Sequence, residues 1–291
     1  MNNQQLNKDY CANANLISTT DRSSLITHAN QDFCDIAGYS TDELVGNPHN
    51  MVRHGDMPKQ AFEQMWTYLK QGKSWMGLVK NQCKDEAHYW VSAFVTPIKN
   101  PEGDIVEYQS VRSKPDSGQV ERAEALYHRL QQNKPTTKPR LPLHKLTLGS
   151  STLLALLSLL MLGTTPSVLS AAITLVAAMM TFGLAYQYRR NKSMAALAQQ
   201  AYSNPLMEKP YTNHFDDYSQ VELALKMKQA ELRAVTARAT ETSGEILISA
   251  EDEFGTIQSI GQSLDQQCHE TEQVAAAAVS YTHLRAHETV V

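Results

Sequence analysis

Cysteine is scarce in this 291-residue chain, and the four present, Cys11, Cys34, Cys83 and Cys268, form no CxxC pair. That argues against a disulfide framework and a thiolate zinc site, and the four read as reduced thiols. An excess of positive charge is also missing: the formal net charge is −4, so no global basic field draws the chain to nucleic acid. There is no G-x-G-x-x-G loop to bring a nucleotide hydride donor beside a second cofactor. His269-Glu270 does not complete an H-E-x-x-H zinc helix, because position 273 is Gln, nor a kinase phosphorylation box, because no proline follows. The largest gap is in charge: from Leu146 to Tyr188 there is no Asp, Glu, Lys, Arg or His.

That uncharged stretch has cations at both outer ends, Lys138, Arg140, His144 and Lys145 before it and Arg189, Arg190 and Lys192 after it. The turn-forming cluster at 163–167 divides it into two apolar halves, each near the roughly 20 residues a helix needs to cross a bilayer. The pattern predicts a transmembrane hairpin over 146–188 with both flanks cytoplasmic, since the cations lie at the outer ends and none at the tip. A signal peptide is excluded by the mid-chain position and by the polar N-terminus. Any sensing then falls to residues before Leu146.

Residues 15–114 carry the mixed pattern of a small α+β domain behind an N-terminal cap, 1–14. Short β-prone runs at 16–20 and 25–27 flank the turn residues Asp21, Arg22 and Ser23. Ser40 and Glu43 have capping-box spacing, and Pro58 begins an amphipathic helix to about Gln71, stopped by Gly72. Three longer strands are expected at 75–84, 88–98 and 104–112, the last two joined by the turn sequence Asn-Pro-Glu-Gly at 100–103. Strand periodicity puts Trp75, Gly77, Val79 and Asn81 on one face, so a large aromatic and a carboxamide share a surface. On the next strand, Tyr89, Val91, Ala93 and Val95 oppose Trp90, Ser92, Phe94 and Thr96, and the covered face stays open. Arg53, His54 and Asp56 cluster in a loop that opens onto the helix; from the residues alone this is either a solvated charged loop or a ligand loop.

The run ISTTDRSSLITHANQDFCDIAGYSTDELVG, then PHNMVRHGDMPKQAFEQMW, W-x-G-x-V-K-N at 75–81, HYW at 88–90 and YQSVRSKP resembles the PAS domain of bacterial aerotaxis receptors. That family consists of methyl-accepting chemotaxis transducers with FAD in a cytoplasmic PAS domain. The resemblance implies flavin-binding roles for Asn30, Arg53, His54, Asp56, Trp75 and Asn81. Trp75 suits an aromatic wall, Asn81 and Asn30 the polar ring edge, and Arg53 and His54 a pyrophosphate or the charge of reduction, with Asp56 orienting them. Gly55 departs from the family, which commonly has proline there, and loosens the loop. Haem is disfavoured because the helix over 58–71 carries no histidine ligand, and a light-oxygen-voltage photoreceptor because its NCRFLQ-like cysteine motif is missing.

Beyond the domain, 115–145 is a linker with a short helix at 119–130 and a basic, proline-rich tether. Residues 189–240 resemble a HAMP module: a helix over 193–202, a break at Asn204-Pro205, then a helix from about Asp217 with Val221, Leu225, Leu232 and Val235 at coiled-coil-like spacing. Residues 241–278 continue as the start of a chemoreceptor signalling coiled coil, with Ile246, Ala250, Ile257, Leu264, Cys268, Thr271, Ala275 and Ala278 in a heptad-like seam. The final 279–291, VSYTHLRAHETVV, looks like a translated adapter sequence, so His283 and His287 support no metal site.

The fold expected is an α+β PAS domain with an antiparallel sheet and flanking helices, then a transmembrane hairpin, then all-α HAMP-like and coiled-coil regions. The function expected is a non-enzymatic, redox- and oxygen-sensing aerotaxis transducer in the bacterial inner membrane. Its cofactor would be FAD; its partners would be a second copy, the bilayer, and a chemotaxis histidine kinase and adaptor bound through a C-terminal part absent here. Alternatives are a membrane-anchored PAS sensor kinase or flavin reductase whose catalytic domain is missing, or a cofactor-free PAS dimerisation module.

Overall fold

The computed structural model describes residues 7–136 and 139–288, with side chains described through residue 282. Its packing divides into two units, Met1–Val235 and Thr236–Val291.

The first unit is built on a five-stranded antiparallel sheet of order β2-β1-β5-β4-β3. The strands are β1 (Leu16–Thr20), β2 (Ile26–Ala29), β3 (Trp75–Gln82), β4 (His88–Lys99) and β5 (Ile105–Ser113), each within two residues of the expectation at either end. The segment between β2 and β3 holds α1 (Gln31–Ala37), α2 (Thr41–Leu44), a 3-10 turn (His49–Val52) and α3 (Lys59–Lys70). Ser40 and Glu43 form the expected capping box at the start of α2. Gly72 ends the turn after α3 at φ +71°, a conformation that favours glycine.

Both faces of the sheet are covered, which explains why the alternation in β4 was hard to read. On one face, Tyr89, Val91, Ala93 and Val95 are buried toward α3 and the loop before it. On the other, Trp90 stacks on Tyr127 of α4 (Ser117–Gln131) with ring centroids 6.1 Å apart. The Tyr127 hydroxyl donates to the Leu78 carbonyl, so α4 is fastened to β3 as well. Asp116 caps α4 through a second capping box with Gln119.

Two helices, α5 (Leu143–Thr164) and α6 (Val168–Ala201), are long and apolar enough to cross a membrane by length and composition. They are joined by a three-residue turn that Ser167 caps. Ser151 and Thr181 hydroxyls meet at 2.9 Å and Thr174 donates to the Ser158 carbonyl, so the small polar residues face the partner helix. Large side chains such as Leu160 and Phe182 point outward and are exposed.

The connector after α6 is more ordered than its composition suggests. It contains α7 (Pro205–Thr212), capped by Asn204, with Pro210 inside it. This helix packs against β3 and α4. A long helix, α8 (Ser219–Glu288), follows. In its first-unit portion Leu223, Ala224, Met227 and Ala234 are buried, whereas Leu225, Leu232 and Val235 are exposed. The spacing chosen in sequence therefore marks mostly the uncovered face rather than the packed one.

The second unit is the helical remainder of α8, and Ile246, Ile257 and Leu264 are exposed along it. Of the tail 279–291, residues 289–291 and the side chains of His283 and His287 lie outside the described residues.

Candidate functional site

A cavity of about 390 Å3 opens between α3, the 48–53 loop and the inner face of the sheet. That volume falls in the usual small-molecule range of roughly 300–1,000 Å3. α3 supplies an apolar wall, Phe62, Met65, Trp66 and Leu69. The sheet supplies Trp75, Val79 and Asn81 from β3, Ala93 and Val95 from β4, and Tyr108, Ser110 and Arg112 from β5. Each strand's set falls on alternate positions of one parity, so one pleat face builds the sheet wall.

The W-x-G sequence has a steric reason. The Trp75 ring lies flat over Gly77, and a Cβ at position 77 would come within 2.2 Å of the ring. Trp75 is 1% exposed and its indole N–H donates to the Gln64 side chain at 3.3 Å.

Three buried polar groups on the sheet wall have no hydrogen-bond partner among the described residues: Asn81 Nδ2, Ser110 Oγ and Arg112 Nη1. Leaving such a group unpaired costs about 1–3 kcal/mol, so their convergence on one cavity is a specific feature. Arg112 is the most costly of the three, because it carries a charge and is 3% exposed. Its Nη2 donates to Ser18 Oγ at 2.9 Å and to His49 Nε2, and its guanidinium carbon sits 4.8 Å from the Phe33 ring centroid. Burial lowers the Arg112 pKa to about 10, which keeps it cationic at neutral pH. Burial and the Arg112 charge together push His49 down to about 3, so its Nε2 is a neutral acceptor. Such a wall suits a flat ligand with acceptor atoms or a negative charge on one edge.

Of the six residues singled out in sequence, Arg53, Trp75 and Asn81 line the cavity. Arg53 Nη2 donates to the Met57 carbonyl at 2.9 Å, and its guanidinium lies 4.2 Å over the Phe62 ring. Its backbone pairs with Asn81, which stitches the loop to β3.

Asn30, His54 and Asp56 are not among the lining residues, and each has a local job instead. Asn30 caps α1: its Oδ1 accepts from Phe33 N at 3.1 Å and Ile17 N at 2.9 Å, while its Nδ2 donates to the Asn15 carbonyl at 2.7 Å. His54 is buried, and its Nδ1 accepts from Asp56 N at 3.1 Å. Asp56 is drawn outward to Lys80 at 2.8 Å, which holds its carboxyl below the usual range. Burial, and then the Lys80 charge, lower the His54 pKa. These two residues set the loop against the edge of β3. Gly55 meets nothing within 4 Å of an added Cβ and is not left-handed, so its backbone does not require glycine.

Arg112, Ser110 and His49 were missed in sequence. The available signal was a period-two set on β5, Tyr108, Ser110 and Arg112, which places an arginine on the inward face of a strand.

An antiparallel sheet with one helix over a polar-lined cavity is the arrangement of a PAS sensory domain, and residues 26–112 match the PAS fold family. The chain is 47% identical over 126 residues to the aerotaxis receptor of Escherichia coli K12, a match covering 43% of this chain and 25% of that protein. It is 33% identical over 96 residues to a nitrogen fixation regulatory protein of Klebsiella pneumoniae, covering 33% of this chain and 19% of that one. The matches thus span about a quarter or less of each relative's length. A solved light-oxygen-voltage domain is similar at 22% identity and TM-score 0.35, over 41% of this chain and 88% of its own.

Proposed function

We propose that the chain is the sensory and membrane-anchored part of a redox- and oxygen-responsive aerotaxis transducer that holds FAD in the PAS cavity. The observation that carries this is the wall of unpartnered buried donors, Asn81, Ser110 and Arg112, set beside Trp75 on the sheet and facing the apolar surface of α3. Trp75, Phe62 and Met65 would pack against a flat ring system, and Asn81, Ser110 and Arg112 would bond its polar edge. Arg53, at the mouth of the loop, would meet a phosphate, with His54, Asp56 and Asn30 positioning loop and helix from behind. FAD would supply a redox couple responsive to oxygen and electron flow. The cationic Arg112 would favour added negative charge on the ligand, and its tie to His49 would carry that preference into the 48–53 loop.

The similarity to the aerotaxis receptor supports the same reading, as does the connector docked on the other side of β3. Met76, between Trp75 and Gly77, donates its N–H to the Tyr202 hydroxyl at 3.0 Å, and its carbonyl accepts from Asn204 Nδ2 at 3.3 Å. The Tyr68 hydroxyl of α3 donates to the Ser203 carbonyl. A change in the packing of Trp75 would thus be felt at the start of the HAMP-like region, biasing two arrangements of the helices beyond it.

In this reading 146–188 anchors the chain in the cytoplasmic membrane, 189–240 acts as the HAMP-like module and 241–278 begins a methyl-accepting-type bundle. The exposed seam of α8 would pair with a second copy, and the signal would pass to a chemotaxis histidine kinase and its adaptor. The role is sensory rather than enzymatic.

The test is to purify the full chain in mild detergent, record its visible spectrum and identify the chromophore released on denaturation. Flavin bands with FAD released, and loss of FAD in Arg112→Met and Asn81→Ala variants that remain folded, are expected. A folded, colourless protein that takes up no added FAD would overturn the reading.

A further inference from the structure

The base of the helical hairpin carries a second charged feature, and its two halves behave differently. Arg140 reaches the buried carboxylate of Glu208 at 2.8 Å and packs 4.6 Å over the Phe215 ring. Glu208 also accepts from the Ser219 hydroxyl at 2.5 Å. His144 Nδ1 lies 3.1 Å from Asp217, and the same carboxylate oxygen accepts from the His144 backbone N–H at 2.8 Å. Asp216 accepts from the N–H groups of Tyr218 at 2.9 Å and Ser219 at 3.0 Å. The acidic groups near the hairpin base are therefore held by Arg140, His144 and the start of α8.

What remains is a set of cations without acids. Lys145, Arg189, Arg190 and Lys192 are all exposed, and none of them has an ion pair among the described residues. Their height is fixed by helix geometry. From Thr164 back to Lys145 along α5, and from Val168 on to Arg189 along α6, a rise of 1.5 Å per residue gives about 29 and 32 Å. That matches a hydrocarbon core of about 30 Å and places the four side chains at one headgroup level, the one opposite the turn. At about 100° per residue, Arg189, Arg190 and Lys192 point to different sides of α6, so they form a collar rather than a stripe.

We propose that this collar binds the headgroups of anionic phospholipids in the cytoplasmic leaflet. The inference rests on the membrane-anchored reading above and goes beyond it by naming the lipid class and the residues that select it. Ammonium and guanidinium groups at headgroup height gain from anionic phosphodiester lipids, and the local carboxylates that would compete are already consumed. The collar flanks Asn191, whose Nδ2 lies 3.3 Å from His144 Nδ1, so lipid binding abuts the ties that fasten the start of α8.

The test reconstitutes the full chain in phosphatidylcholine vesicles and measures, by electron spin resonance, the relative association of spin-labelled phosphatidylglycerol and phosphatidylcholine. The expected result is a preference for phosphatidylglycerol of about threefold or more at low salt, reduced in 0.5 M salt. It should be lost in the variant Lys145→Gln, Arg189→Gln, Arg190→Gln, Lys192→Gln. Equal association of both lipids with the wild type, or a preference that survives in the variant, would overturn the proposal while leaving membrane anchoring in place. Recovery of the wild type in the soluble fraction after an alkaline wash of the vesicles would overturn both. The salt comparison uses the wild type alone and stands even if the variant fails to insert.

Discussion

Replacing Gly77 by Ala isolates the contact that builds the cavity wall. The new Cβ would sit 2.2 Å from two atoms of the Trp75 ring and 3.0 Å from a third. Ordinary carbon contacts are about 3.5–4.0 Å, so the ring must move by more than about 1 Å. Overpacking of this kind costs about 1–3 kcal/mol, whereas losing a strand glycine returns about 0.5–1 kcal/mol. The net expected for Gly77→Ala is a destabilisation of about 0–2.5 kcal/mol, with the ring pushed into the space proposed for FAD. In a Trp75→Leu background the ring is gone and only the backbone gain remains, so the same change should turn neutral or stabilising. Denaturant midpoints of the four proteins, followed by the fluorescence of Trp66 and Trp90 and paired with FAD content, measure this coupling directly. An equal effect of Gly77→Ala in both backgrounds would refute the steric account of the W-x-G sequence.

Other expectations follow from the same geometry. His49 has a folded pKa of about 3, below the ordinary value of 6.5, so the unfolded chain binds the extra proton and stability falls as pH drops from about 6.5 toward 3. Between pH 6.5 and 4.5 this contributes roughly 2 kcal/mol, which a His49→Gln variant should lack when unfolding midpoints are compared at the two pH values. Asn30→Ala should cost about 1 kcal/mol of stability through the lost cap and shift FAD affinity little; a large loss of FAD with unchanged melting would return Asn30 to the ligand set. Tyr202→Phe should speed hydrogen exchange at the Met76 amide, because it removes the hydroxyl that accepts from that N–H. Gly55→Ala should be neutral or raise stability by about 0.4–1 kcal/mol, as judged by the thermal midpoint.

The elements were legible wherever a local rule decided them. The capping box at Ser40, the stop of α3 at Gly72, the period-two strands and the uncharged 43-residue stretch all follow from neighbours in sequence. The site was legible only in part. Trp75 and Asn81 share a pleat face and so predict each other, but the partners of Asn30, His54 and Asp56 are set by the docking of α1 and the 53–58 loop on the sheet. The resemblance marked these residues, and packing decided which of them reach the cavity. Arg112 was hidden because an arginine near the end of a strand ordinarily reaches solvent; here α1, the 48–53 loop and β1 close over it. The outer face of the sheet was unreadable for the same kind of reason, since its cover arrives from α4 and from α7, more than a hundred residues after β4.

The central claim is that one strand, β3, joins the cavity to the connector at 202–204, which is proposed to open a HAMP-like module. The most direct measurement is hydrogen exchange of the full, FAD-loaded chain, comparing the oxidised protein with the same protein after chemical reduction. The account predicts changed protection of the Met76 amide and of the backbone at 202–204, lost in Trp75→Leu. Identical exchange at those amides in the two redox states, with FAD demonstrably bound and reduced, would contradict it.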